Sequence, residues 1–190
     1  MSDDAALADL RTGADYQFGA GAGDALFPPD ETLTLRRSSG GRPRQVIVGD
    51  VADDPGSPEG DRLVSYGTDG RFTLGVAGGR RLREAFAVPR HRMVVGEESE
   101  PFVREGRNTF AKFVTAADDG IRPGDEVLVV DEDDALFAVG RAELSGAEAE
   151  AFASGVAVKV RNGAGADDGN GAGADDGNGA GADDGNGAGG

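Results

Sequence analysis

Arg104, Arg107 and Lys112 fall within nine residues in the run FVREGRNTFAKF, gathered around Gly106 and Asn108. Guanidinium and ammonium groups at that density are suited to holding phosphate oxygens, and a glycine among them lets a phosphate approach the backbone. Phe102, Phe110 and Phe113 are interleaved with the cations. A base stacked on such a ring gains about 1–3 kcal/mol, so the combination points to nucleic-acid binding. Alternation along Thr109–Thr115, read as a strand, puts Phe110 and Lys112 on one face and Ala111 and Phe113 on the other. Phe113 and Phe102 are then expected in the core, with Phe110 open to either role. The alternative is a set of solvated charges beside a turn, with Glu105 pairing one of them. A second basic cluster, Arg36, Arg37, Arg42 and Arg44, either extends an RNA footprint or offsets nearby carboxylates.

Residues for bond-making chemistry are scarce. The 190-residue chain has no cysteine and one histidine, His91. Without cysteine there is no disulfide framework, thiolate zinc site or thiol nucleophile. His91 has no Ser or Cys partner suggested by spacing and is expected to be a surface or packing residue. Gly19, Gly21 and Gly23 give GxGxG, but Asp24 follows and no strand leads in, so the dinucleotide pattern fails. No GxxxxGK phosphate loop occurs. The acidic run Asp131–Asp134 would need glycine at its sixth position to act as a calcium loop, and Leu136 stands there. It is expected to be a solvated hairpin turn. No catalytic residue, metal or cofactor is assigned.

Charge shapes the choice of partner. The chain carries 35 acidic and 19 basic side chains, a net charge of −16. Residues 162–190 hold six aspartates and no cation, so the body keeps 29 acids against 19 bases. Seventeen of the bases are arginine; Lys112 and Lys159 are the two lysines. An acidic, arginine-rich and alanine/glycine-rich body suits concentrated salt, where the Debye length falls to about 3 Å at 1 M and repulsion of a polyanion is screened. The alternative is an acidic mesophilic protein from a GC-rich genome. The acidic start MSDDAALADL is unlike an export signal, and no apolar run approaches the roughly 20 residues of a membrane span. A cytoplasmic protein is expected.

The elements that must position the cations fall into two groups. Thr32–Arg37, Gln45–Asp50, Arg62–Tyr66 and Arg71–Val76 are short β-type runs, with a tight hairpin at TDG, and residues 79–86 read as a helix. After Pro89, Arg92–Glu97 is a strand and Ser99-Glu100-Pro101 opens a short helix. Thr109–Thr115, Glu126–Asp131, Ala135–Glu143 and Val156–Arg161 are further strands. Gly140 marks a bulge or a close backbone approach. Ser145 and Glu148 form a capping box opening a helix through Phe152. Short strands, small helices and Pro-Gly turns within about 75 residues suggest a partly closed barrel. From Asn162 the chain repeats NGAGADDG three times and ends NGAGG. With nothing large and apolar to bury, this tail is expected to be disordered. Its eight-residue period also lacks the apolar residue of calcium-binding repeats.

The downstream run RHRMVVGEESEPFVREGRNTFAKFV, with IRPGDEVLVVD, FAVGRA and GVAVKVR following in order, resembles a PUA domain over residues 90–161. It is similar to the version at the C-terminal end of archaeosine tRNA-guanine transglycosylases and archaeosine synthases, of a haloarchaeal type. DYQFGAGAG (Asp15–Gly23) and DGRFTLGVAGGRRL (Asp69–Leu82) resemble the small domain preceding PUA in those proteins. The fold implied is α+β and mostly β: a small antiparallel sheet with a helix, then a PUA-like pseudo-barrel. The division implied is an extension at 1–13, a small α/β domain at 14–88, the PUA domain at 89–161 and the tail at 162–190. In related PUA domains the helix, the following glycine turn and the last strand form the RNA-facing groove. Carried over, this implies RNA contacts at Arg104, Gly106, Arg107, Asn108, Lys112, Lys159 and Arg161, to which Phe110 is added as a stacking candidate.

The partners implied are tRNA or another structured RNA and a tRNA-modifying enzyme, with no membrane. The longer members do their chemistry on a (β/α)₈ barrel of about 250 residues, more than the 88 upstream residues can hold. A non-catalytic RNA-binding role in or beside archaeosine-type transglycosylation is therefore expected. The alternative is a protein-interaction subunit of a tRNA-modifying complex that makes no RNA contact.

Overall fold

The computed structural model describes residues 3–49 and 61–165. The expected tail lies outside the described residues from position 166 onward.

The described residues open on helix α1 (Asp3–Phe18), which runs from the expected extension at 1–13 into the following domain. Leu7, Leu10, Ala14 and Phe18 recur at helical spacing and are buried, while Asp3 and Asp4 complement the positive end of the helix dipole. The GxGxG segment turns α1 into α2 (Ala22–Leu26). Four antiparallel strands follow in spatial order β1 (Leu33–Arg37), β2 (Pro43–Val48), β3 (Arg62–Tyr66) and β4 (Phe72–Leu74). Helix α3 (Val76–Ala85) then leads through Phe86 to the second half.

That half contains β5 (Arg92–Val95), α4 (Glu100–Arg104), β6 (Thr109–Phe110), β7 (Val114–Ala117), β8 (Glu126–Val130), β9 (Leu136–Ala142), α5 (Gly146–Ala151) and β10 (Val156–Gly163). The sheet order is β6-β10-β9-β8-β5-β7, with β5 parallel to β8 and the other pairs antiparallel. The expected single strand at Thr109–Thr115 is in fact two. A 3₁₀ turn at Ala111–Phe113 separates β6 from β7, which lie on opposite edges of the sheet. Alternation cannot run through that turn: it carries the chain across the gap that nearly closes the barrel.

Several local signals hold. Ser145 Oγ accepts the Glu148 N–H, and Glu148 returns the bond by accepting the Ser145 N–H at 2.9 Å. Gly140 is a close approach: a Cβ there would lie 2.4 Å from the Lys159 carbonyl oxygen. The Glu126–Val130 run is buried throughout because both of its faces are covered. Val127 and Val129 point into the barrel with Met93, Phe137 and Val158. Leu128 and Val130 join Leu136 and Val139 in the core built by α1, α2, α3 and the first sheet. The two halves therefore share β8 as a common wall.

Strand β10 continues through Asn162 and Gly163, beyond the expected domain end at Arg161, and Ala164 is buried. A Cβ on Gly163 would sit 2.0 Å from the Arg104 carbonyl oxygen, a backbone atom that cannot yield cheaply. Gly163→Ala is expected to cost about 1–3 kcal/mol through overpacking, read as a lower urea midpoint; an unchanged midpoint would contradict this packing. Among the described residues no helix is long and apolar enough to cross a membrane.

Candidate nucleic-acid interface

The corner between α4 and β6 is built from the ends of three elements. Pro101 sits in the first turn of α4, and the helix stops at Arg104, where Gly106 turns back with φ 87°. L side chains rarely adopt that conformation. Nothing lies within 4 Å of where a Cβ of Gly106 would be, so its outer side is open. Asn108 ties the corner to the last strand by accepting the Val160 N–H at 3.1 Å. Its amide nitrogen has no partner among the described residues. From there β6 runs beside β10, placing Thr109 opposite Val158 and Phe110 opposite Val156. At roughly 3.3 Å per residue, this edge carries the corner and the 3₁₀ turn at the two ends of a track about 13 Å long.

The expected contact residues divide along this track. Arg107 is 70 % exposed, with only a loose 3.9 Å contact to Glu105. Its guanidinium lies 5.7 Å from the centre of the Phe102 ring. Lys112 is exposed on the 3₁₀ turn, its Nζ 4.7 Å over the Phe113 ring. Phe110 stands between the two ends, half in solvent. Lys159 points outward from β10 beside Arg141 of β9, whose guanidinium is held by Glu143 at 2.7 Å. Neither lysine has a carboxylate partner among the described residues.

Two of the expected cations are engaged by the fold. Arg104 donates through Nε to Glu100 at 2.7 Å and lies 4.6 Å over the Phe137 ring. Arg161 pairs with the buried Glu126 at the seam between the halves. Glu126 also accepts the Leu74 N–H at 2.9 Å, and burial raises its pKa although Arg161 pulls it down. Arg62 reaches across the same seam to Asn162 at 2.6 Å. Glu126, steadied by Arg161 from within the second half, and Arg62 therefore fasten one half to the other.

The aromatic expectations change as well. Phe102 is 51 % exposed on α4 and is not a core residue; a five-residue helix is too short for its apolar pattern to show which side is buried. Phe113 is half-buried beneath Lys112. Phe152, just past α5, is also exposed and carried no signal among the charges.

His91 is a packing residue. Its ring stands edge-on to Phe18 and Phe86, with centroids at 6.0 and 5.4 Å. Nε2–H donates to the Phe18 carbonyl at 2.8 Å, the tautomer a carbonyl partner requires. Burial lowers its pKa from the usual 6.5, only partly opposed by that hydrogen bond. The folded chain thus binds this proton less readily than the unfolded chain does. The contribution is complete above about pH 6.5 and is lost as pH falls toward the lower folded value. His91→Asn keeps a residue type that tolerates its φ of 63°. The wild type is expected to lose stability relative to this variant as pH falls below about 6.5; parallel pH curves would contradict it.

A cleft of about 410 Å³ opens at the seam, lined in part by Gln17, His91, Asp118, Asp125 and Glu126. Asp118 accepts the His91 and Gly120 N–H groups, each at 2.8 Å, and Asp125 accepts that of Arg122 at 2.9 Å. Its carboxylates disfavour a phosphate, so the cationic track is the better polyanion surface. In the acidic hairpin turn, Asp131 accepts the Asp133 and Ala135 N–H groups, while Asp134 pairs with Arg92. Among the described residues no three metal-ligating side chains cluster.

Comparison with known proteins covers both halves. Residues 8–89 match the patch-forming domain C2 of tRNA-guanine transglycosylase, and residues 91–164 match the PUA domain. A tRNA-guanine(15) transglycosylase from Thermococcus kodakarensis is 46 % identical over 151 residues, 79 % of this chain and 24 % of the relative. The enzyme of that name from Methanothermobacter thermautotrophicus is 40 % identical over 154 residues, 81 % of this chain and 22 % of the relative. The chain thus spans about a quarter of the length of the curated relatives it matches. In fold it is similar to a hypothetical protein from Pyrococcus horikoshii, at a TM-score of 0.64 and 22 % identity over 88 % of this chain and 93 % of that one. A conserved PUA domain protein from Thermoplasma acidophilum gives a TM-score of 0.59 at 20 % identity, covering 87 % and 92 %.

Proposed function

The chain carries a patch-forming C2 domain followed by a PUA domain and resembles the C-terminal part of tRNA-guanine transglycosylases, and we propose that it is a tRNA-binding unit without chemistry of its own. It serves archaeosine-type tRNA modification by holding the RNA for a catalytic body. Binding runs along the track from Arg107 past Phe110 to Lys112, with Lys159 beside it. One observation carries the reading: exposed cations and a half-exposed ring line an open glycine corner in a chain whose net charge is −16. Relatives named for transglycosylation of tRNA support the choice of RNA.

Arg107 and Lys112 supply phosphate contacts, the open side of Gly106 admits a phosphate close to the backbone, and Phe110 offers a stacking face. A protein making 6–10 phosphate contacts loses affinity by about 10³–10⁵ between 50 and 200 mM salt. In the concentrated salt that the acidic, arginine-rich composition suits, stacking and hydrogen bonds from Asn108 carry more of the binding. The test is filter retention of tRNA by the purified chain in KCl, beside an unrelated protein of equal charge. Retention above that control supports the reading, and equal retention sinks it.

Tyr16, 94 % exposed, and Val88, 61 % exposed, favour a second reading in which the chain docks a protein of the modifying complex and no RNA. Under it, charge reversal at Arg107 and Lys112 leaves tRNA retention by the complex unchanged. Base exchange into tRNA by the chain alone would overturn both.

A further inference from the structure

We propose that the β1–β2 hairpin is a second, electrostatic contact for the RNA backbone, extending the bound RNA beyond the PUA domain; this rests on the tRNA-binding reading above. Residues 32–49 contain four arginines and no acid, in a chain with 35 acidic side chains. Arg37 holds the hairpin in shape, donating to the Gly41 carbonyl at 2.9 Å and to Asp3 of α1 at 2.5 Å. The tip is closed by Ser38 N–H to Arg42 O and by Gly41 N–H to Ser38 O, each at 2.8 Å. Arg42 and Arg44 flank Pro43 just past this tip, both exposed, and neither guanidinium has a partner among the described residues.

Arg42 and Arg44 are two residues apart, so in extended chain they share a side. A hydrogen-bonded tip that presents two guanidiniums without a carboxylate partner among the described residues, in a chain of net charge −16, is a local exception to its surroundings. A polyanion is the ligand that such a pair fits, since phosphates recur along it and reward a second cationic contact. The hairpin also belongs to a different sheet from the first track. Ile47 pairs with Arg62, whose side chain reaches Asn162 at the end of β10. Arg42 lies five residues before Ile47, about 17 Å along an extended strand. An RNA that touches both sheets spans more of the molecule than one held at the α4–β6 corner alone, which suits a folded tRNA better than a short end.

The experiment uses the full chain, a tRNA transcript and a minihelix comprising only its acceptor stem, with fluorescence anisotropy read across a KCl series. Arg42→Gln/Arg44→Gln is expected to weaken tRNA binding about tenfold at moderate salt and to lower the slope of log affinity against log salt by about 1–2. Minihelix binding should be unchanged. Circular dichroism confirms that the variant is folded, and since neither guanidinium has a hydrogen bond or ion pair among the described residues it should be. Unchanged tRNA affinity and slope in this variant, with binding still lost on charge reversal at Arg107 and Lys112, overturns the hairpin contact alone. Absence of tRNA binding by the wild type overturns both proposals. Equal weakening for tRNA and minihelix also overturns the hairpin contact, because the effect would then not lie beyond the stem.

Discussion

Replacing Arg92 by alanine is expected to lower stability by about 3–5 kcal/mol, the cost of breaking a buried, fully bonded charge. Arg92 is 1 % exposed. Its Nε donates to Asp134 at 2.8 Å, Nη1 to the Phe86 and Arg90 carbonyls at 2.9 and 2.8 Å, and Nη2 to Asp134 at 3.0 Å and the Arg83 carbonyl at 2.7 Å. All five guanidinium N–H groups are therefore satisfied, and they join the end of α3, the linker to β5 and the β8–β9 turn. Arg92→Ala strands a carboxylate and three carbonyls at once. Lysine cannot rescue the site, because a single ammonium offers three donors in the wrong geometry. At roughly 2–4 °C per kcal/mol for a chain of this size, the melting midpoint should fall by about 10 °C. A drop below about 1 kcal/mol, the scale of an exposed pair, would mean that Arg92 is not the joint between the two halves.

Reversing charge at both Arg107 and Lys112 is expected to weaken tRNA binding by about 10- to 100-fold at moderate salt, with the melting midpoint unchanged. Each substitution removes a phosphate contact and replaces attraction with repulsion, and the loss shrinks as salt screens both. Stability should hold because the sole ion pair of Arg107 among the described residues is the loose 3.9 Å one with Glu105, Lys112 has none there, and the exposed ring contacts of the two cations are weak. Arg161→Glu should behave in the opposite way. It sets two carboxylates against each other at the seam, so stability falls first and any loss of binding follows from unfolding. A variant set in which Arg161 governs affinity and Arg107 does not would reverse this division of roles.

What the sequence disclosed was mostly local or two-sided. The Ser145–Glu148 capping box is a reciprocal pair three residues apart and is formed. The β8 run is apolar at every position after Glu126 because a core lies on each side, and that reads directly. Failures arose where a distant partner decides the outcome. Helix α1 hides in an acidic, alanine-rich start because its weak apolar stripe becomes a core face only when the first sheet covers it. The break at Ala111–Phe113 is set by barrel closure, which no alternation pattern encodes. Arg161 points outward from β10, as its place in the alternation requires, but Glu126 lies 35 residues away and turns it into a clamp. Gly163 stands in letters identical to those of the tail repeat, and only the nearness of the Arg104 backbone gives it a packing role. The cations at Arg107 and Lys112 were legible because exposed groups around a glycine turn need no distant partner.

RNA binding by this chain is defined by its location on the surface, and amide chemical shifts of ¹⁵N-labelled protein during a tRNA titration report that location residue by residue. The largest changes are expected at Gly106, Arg107, Asn108, Phe110 and Lys112 and along Val156–Val160, with α1 and the residues around Val88 undisturbed. Changes confined to α1 and the Val88 surface, or none at all with tRNA in excess, would contradict it.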